Sequence, residues 1–151
     1  MTKSFSIDHT TLERGFYFQE EKENVFIYDF RIYAPKEKKY LTPLENHTLE
    51  HYLANYLNER KEYKKVAIFP YGCLTGFGLV LGVRLLEDEV VEMLKSFLEY
   101  GFNNSLIPGN SIYECGNPAT LNYSSLIDIL KVIEKDLLNN NYSFTYLKDT
   151  H

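Results

Sequence analysis

The chain has 151 residues, 44% of them hydrophobic and 25% charged, with a formal net charge of -5. That length implies one domain with a core that needs no disulfide staples, and the negative balance offers no field for nucleic acid, the Lys36-Glu37-Lys38-Lys39 run reading as a solvated loop. No apolar run reaches the roughly 18 residues of a membrane span, and the polar start MTKSFSIDHT lacks the apolar stretch of a signal peptide. The expectation is a cytoplasmic protein with no membrane or nucleic-acid partner, its two cysteines reduced.

Residues 4–9 alternate, with Phe5 and Ile7 opposite Ser4, Ser6 and Asp8, and read as a short strand. Residues 10–24 end in the charge run Glu20-Glu21-Lys22-Glu23-Asn24 and read as a hairpin or loop. Residues 25–34, rich in β-branched and aromatic side chains, form a strand that stops at Pro35. Val25, Ile27, Asp29 and Arg31 share one face of it, so that face runs from core to cleft. An acid and a base on one strand read as a structural ion pair unless the strand borders the cleft.

Thr42-Pro43 opens a helix: Thr42 caps it, Pro43 suits its first turn, and Glu45 completes a capping box. Leu44, Leu49, Tyr52, Leu53, Tyr56 and Leu57 give it an apolar side as far as about Arg60. Residues 66–70 and 77–84 read as strands joined by Tyr71-Gly72-Cys73-Leu74-Thr75-Gly76, whose glycines hold Cys73 in a constrained turn. A second helix spans residues 88–100, with Gly101 as its stop. Residues 103–120 carry Pro108, Gly109, Cys115, Gly116 and Pro118, and an irregular stretch of that length points to function. A third helix spans about residues 124–138. Residues 1–138 then form the domain and 139–151 a C-terminal tail, its last ten residues loosely held. The layout is α+β, a single domain with an antiparallel sheet and helices packed on one face.

The densest chemical signal is His47-Thr48-Leu49-Glu50-His51. On a helix, residues four apart project from one face about 5–6 Å apart, close enough for two imidazoles to grip one metal ion. Glu50 hangs beside that ion as an acid. The pattern is H-x-x-E-H, the inverse of a zinc-protease motif. A catalytic site needs a third protein ligand, and Cys115, Cys73 or a downstream carboxylate are the candidates. Imidazole with thiolate suits zinc or ferrous iron. A Cys73 thiolate near the ion is a candidate base or nucleophile. Seen alone, either cysteine would as soon be an inert buried residue.

Taken in order, SFSIDHT, DFR, HTLEH, PYGCLTGF, IPG and ECGN resemble the S-ribosylhomocysteine lyase (LuxS) family from Ser4 to about Leu138. The resemblance implies a metalloenzyme of the LuxS fold that cleaves S-ribosylhomocysteine to homocysteine and 4,5-dihydroxy-2,3-pentanedione, the autoinducer-2 precursor of quorum sensing and a by-product of the methyl cycle. It implies two carbonyl shifts and a β-elimination, a homodimer with active sites at the interface, and Fe2+ that Zn2+ replaces. Carried over by motif, His47, His51 and Cys115 are the metal ligands, and Glu50 and Cys73 the catalytic acid/base pair. Ser4, His9 and Arg31 hold the substrate or the catalytic thiolate, some of them from the partner subunit.

The chain departs from the family at Ala67, Phe69 and Tyr71, where many members carry aspartate, serine and methionine, and in the loop 109–114. The missing aspartate bears on the amino-acid end of the substrate. Two rival readings accompany the lyase: a metallopeptidase using the inverted zinc motif with a distal glutamate as third ligand, and a non-catalytic dimeric binding protein of the same fold.

Overall fold

The computed structural model describes residues 3–64 and 66–147. Four strands, β1 (Gly15–Lys22), β2 (Val25–Arg31), β3 (Ala67–Pro70) and β4 (Gly76–Leu81), form one antiparallel sheet in the order β1-β2-β4-β3. Three helices, α1 (Pro43–Asn58), α2 (Glu87–Asn103) and α3 (Tyr123–Leu138), cover one face. Strand register explains the division of faces. Phe30 opposes both Phe16 and Phe77, and Tyr28 opposes Phe18 and Leu79, so these side chains point together into the core. The helices meet them with Leu49, Tyr52 and Tyr56 of α1, Leu94 and Phe97 of α2, and Ile129 and Ile133 of α3. Tyr17, Asp29 and Gly78 fall in register on the opposite face.

Thr42 caps α1 as its sequence requires: its side chain accepts from the Glu45 amide at 3.1 Å, and Glu45 returns a contact to the Thr42 amide at 2.8 Å. The helix buries Thr48, Leu49, Tyr52 and Leu53, and so turns His47, Glu50 and His51 to its half-buried side. Among the described residues no helix is long and apolar enough to cross a membrane.

Local expectations are corrected or narrowed at five places. Residues 4–9 are not a strand: Lys3–Ser6 is a 3-10 turn in which Ser6 Oγ donates to the Lys3 carbonyl at 2.7 Å. Asp8 accepts from the Thr10 amide at 2.9 Å, so short polar side chains take up the backbone that a strand would need. Of the hairpin and loop alternatives for residues 10–24 the hairpin holds: residues 15–22 are its first strand, because Phe16 and Phe18 face the core across from Phe30 and Tyr28. Its connection to β2 places Glu23 and Asn24 at φ 50° and 66°, a hairpin turn built without glycine.

Gly101 does not stop α2, which continues to Asn103. A Cβ there would meet Leu130 at 2.6 Å, so Gly101 lets α2 and α3 approach. The end of α2 is instead satisfied by side chains, with the Tyr123 hydroxyl within 2.8 Å of the Gly101 carbonyl and 3.0 Å of the Phe102 carbonyl.

Only one of the two glycines constrains the Cys73 turn. Gly72 has open space where a Cβ would stand and the left-handed residue is Leu74, at φ 63°, whereas a Cβ on Gly76 would lie 2.2 Å from the Phe30 carbonyl oxygen. Lastly, residues 142–147 are held: Tyr142 and Phe144 pack on the core, and Ser143 forms a parallel bridge with Gly15. A Cβ on Gly15 would lie 2.2 Å from the Ser143 carbonyl oxygen, so only glycine admits that approach. Residues 148–151 of the expected tail lie outside the described residues.

Phe97 of α2 is fully buried and meets the Tyr56 ring of α1 edge-on, with centroids 5.4 Å apart. Phe97→Ala is expected to lower unfolding free energy by about 3–5 kcal/mol, read as an earlier urea midpoint at unchanged slope, with zinc stoichiometry retained.

Candidate metal centre

His47 and His51 stand one turn apart on α1, and their rings lie 4.6 Å apart at 85° to one another. Cys115 comes from the loop between α2 and α3, where its amide donates to the Ser111 carbonyl at 3.0 Å. The ligand atoms of these three residues all lie within 4.8 Å of one another, so together they could hold one metal ion. The third donor is the Cys115 thiol; neither Cys73 nor a carboxylate belongs to the group.

The hydrogen bonds behind the imidazoles fix which nitrogen is free. His51 Nδ1 is 2.8 Å from the Pro108 carbonyl, a pure acceptor, so Nδ1 carries the proton and Nε2 keeps its lone pair. His47 Nδ1 is 2.7 Å from Thr120 Oγ1, and that hydroxyl donates its own proton to the Asn117 carbonyl at 2.9 Å. Thr120 therefore accepts from His47, and His47 Nε2 is free as well. This is the outer-layer arrangement by which metal-binding histidines are oriented.

Cys115 Sγ sits 3.5 Å from His47 Nε2. Tetrahedral zinc, with bonds of about 2.3 Å to sulfur and 2.0–2.1 Å to nitrogen, separates two such ligands by about 3.6 Å. The Asn117 amide approaches the sulfur at 3.4 Å, the kind of contact that stabilises a thiolate. Donor set, spacing and tautomers all fit zinc or ferrous iron. Gly109, at φ 67°, is needed here: a Cβ would lie 3.2 Å from His51 Nδ1, and the left-handed backbone disfavours any other residue.

Glu50 and His51 line a cavity of about 390 Å³ with Asn55, Ile68, Pro108 and Glu114. The cleft wall thus combines α1, the β3 strand and the loop that carries Cys115.

Cys73 occupies a separate cluster and is exposed. Its sulfur is 3.0 Å from Thr75 Oγ1 and 3.8 Å from an Arg31 terminal nitrogen, which also donates to Thr75 Oγ1 at 2.8 Å. Partial burial pushes the thiol up, but the Thr75 contacts and the Arg31 charge outweigh it, and the thiol falls below its ordinary range. Asp29 and Arg31 do form the expected ion pair, Nε to Oδ1 at 2.9 Å, yet the same guanidinium reaches Cys73, so the strand does border the reactive thiol.

Ser4 and His9 lie apart. Ser4 is on the N-terminal 3-10 turn, and His9 Nδ1 meets the Ile7 carbonyl at 2.8 Å. Among the described residues neither hydrogen-bonds to the imidazoles or the two cysteines. Sequence reasoning missed Thr120, the Pro108 carbonyl, Thr75 and Tyr71. Their partners His47, His51, Arg31 and Asp29 are distant in the chain and no spacing rule pairs them; only the Thr75 contact with Cys73 is local.

Fold and site together define a single-domain α+β protein with a two-histidine, one-cysteine group suited to a transition metal. A family model described as S-Ribosylhomocysteinase (LuxS) matches residues 2–143. The chain is 32% identical over 127 residues to the S-ribosylhomocysteine lyase of Finegoldia magna, covering 81% of each. It is 35% identical over 121 residues to that of Desulfotalea psychrophila, covering 76% of each, and 29% identical over 154 residues to that of Clostridium acetobutylicum, covering 90% of this chain and 95% of the relative. The chain belongs to the S-ribosylhomocysteinase (LuxS) family.

Cys115→Ser is expected to abolish tight zinc binding, and Thr120→Val to weaken it about tenfold, both read by competition with a chromophoric chelator. Parent-like affinity in both variants would remove the group from consideration as a metal centre.

Proposed function

We propose that this chain is a metal-dependent S-ribosylhomocysteine lyase that releases homocysteine and 4,5-dihydroxy-2,3-pentanedione. The observation that carries the reading is the His47, His51 and Cys115 group, its ligand atoms within 4.8 Å of one another and both Nδ1 atoms engaged elsewhere, beside the cavity that Glu50 lines in a member of this family. In this reading His47, His51 and Cys115 hold Fe2+, with Zn2+ as a substitute. When bound, the ion supplies Lewis acidity that polarises the sugar carbonyl.

The rest falls to the chain's own side chains. The reaction moves a carbonyl twice along the opened ribose and then eliminates the thioether sulfur as homocysteine. Atoms balance without water or an oxidant, so what the protein supplies is proton transfer. Each shift removes a proton from one carbon and returns one to the neighbouring position. Cys73, held toward its thiolate form by Thr75 and Arg31, suits that work on one side. Glu50, in the cavity wall next to His51, suits it on the other. The elimination needs one further proton abstraction, beta to the departing sulfur.

Ser4 and His9 are assigned to the substrate, and Arg31 to the thiolate. A homodimer with active sites at the interface accounts for the first two, which make no contact with the metal group of their own chain. Phe5 and Phe69, 69% and 46% exposed, offer apolar surface for such a partner. Cytoplasmic residence accords with two free cysteines, one in each half of the proposed site. Among the described residues the group holds no carboxylate of the kind the peptidase alternative needs as third donor.

Iron-loaded, anaerobically handled protein is expected to release a free thiol from S-ribosylhomocysteine. Glu50→Gln and Cys73→Ala should keep stoichiometric metal while turnover falls by about 100-fold or more. No thiol from the loaded parent protein would overturn the assignment, and parent-like rates in either variant would displace that residue from its role.

A further inference from the structure

Tyr146 lies three residues beyond the end of the family match, on the segment that Ser143 pins to β1. Its ring stacks on Tyr17, with centroids 4.4 Å apart and planes 2° from parallel. Its hydroxyl donates to Asp29 Oδ2 at 2.6 Å. Asp29 is fully buried, and Oδ1 accepts from the Tyr71 hydroxyl at 3.0 Å. The same oxygen lies 2.9 Å from Arg31 Nε, although that N–H is not aimed along the contact. Arg31 is 2% exposed, rests over the Tyr71 ring at 4.5 Å, and turns its far nitrogen to Thr75 and Cys73.

One buried cation therefore stands between two acceptors, the Asp29 carboxylate and the Cys73 sulfur. We propose that the Tyr146 hydroxyl, by taking up part of the Asp29 charge, determines how much of the Arg31 guanidinium is left to stabilise the Cys73 thiolate. Tyr146 is on this account a positioning residue that acts through Asp29 and Arg31. The proposal deepens the lyase reading and rests on it only for the catalytic use of the thiolate.

The physical argument is competition in a water-poor site. A buried carboxylate that loses a hydrogen-bond donor leans harder on its remaining cation. Burial, and then the Asp29 charge, push both Tyr71 and Tyr146 far up, so both remain protonated donors at any working pH. Removing the Tyr146 hydroxyl leaves Oδ2 without its donor and draws Arg31 toward Asp29. Removing the carboxylate charge does the reverse and frees Arg31 for the sulfur. The two changes act in opposite directions, which loss of packing does not produce.

The charged and titratable groups around the chain of contacts are Asp29 and Arg31 from β2, Tyr71 and Cys73 from the turn before β4, and Tyr146 from the C-terminal segment. Tyr17 of β1 turns its hydroxyl away to the Glu13 carbonyl at 2.8 Å. Asp8 and Glu13 line the small cavity, about 70 Å³, on the far side of Tyr146.

The test is the pH dependence of iodoacetamide alkylation of metal-loaded protein, read at the Cys73 peptide by mass spectrometry. It needs no substrate, so its outcome is independent of lyase activity. A raised thiol pKa means less thiolate at neutral pH and slower alkylation. Tyr146→Phe, which keeps the ring stack, should raise the midpoint by roughly 0.5–1 pH unit and slow the neutral rate roughly 3- to 10-fold. Asp29→Asn should lower the midpoint, and adding Tyr146→Phe to it should change nothing further. A Tyr146→Phe profile that overlays the parent overturns the proposal, and so does an undiminished Tyr146→Phe effect in the Asp29→Asn background. If Asp29→Asn does not fold, the single Tyr146→Phe profile decides.

Discussion

Two imidazoles on one helical turn can share an ion only if each turns an unprotonated ring nitrogen toward it, and in this protein the choice of nitrogen is imposed from outside the helix. Pro108 fixes His51 and Thr120 fixes His47, both from the connection between α2 and α3. The connection is anchored in turn to α1, because the Asn122 amide donates to Thr48 Oγ1 at 2.9 Å. Thr48 is buried, with Leu49, between the two histidines. The helix thus supplies the spacing and the loop supplies the aim, and each is registered against the other at a single threonine.

The other half of the proposed site rests on a buried charge. A carboxylate and a guanidinium, 0% and 2% exposed, sit on the sheet face away from the helices. Desolvating such a pair costs more than an isolated contact returns unless further hydrogen bonds complete it. Here Tyr71 and Tyr146 donate to the carboxylate and Thr75 accepts from the guanidinium, which leaves only Arg31 Nε without an aligned acceptor. The arrangement is a poor way to gain stability and a good way to hold a cation beside a sulfur. The Tyr71 hydroxyl and ring face serve Asp29 and Arg31 respectively.

Much of this was legible in the sequence. The three helices follow from apolar periodicity, and Thr42-Pro43-x-Glu45 marks the start of α1 to the residue. The histidine pair is a spacing argument and needs no structure. Cys115 as third donor was one of several open choices, because loop conformation has no period to read. The strand from Gly15 was hidden by Glu20, Glu21 and Lys22, whose charges sit at its solvent end while Phe16 and Phe18 do the pairing. Its turn gave no signal, since Glu23 and Asn24 adopt left-handed angles without glycine. Gly101 misled for the converse reason: its value is space for Leu130, which a local rule cannot see. The role of the C-terminal segment depends on contacts with Gly15, Tyr17 and Asp29, more than a hundred residues earlier, and lies beyond any window of sequence reasoning.

The connection that aims the imidazoles also furnishes Cys115, and its Pro108, Gly109 and Glu114 form part of the cavity wall. Ion group and cavity wall therefore hang on one connection, so a substitution that shifts Pro108 or Gly109 disturbs the aim of His51 and the shape of the cavity together.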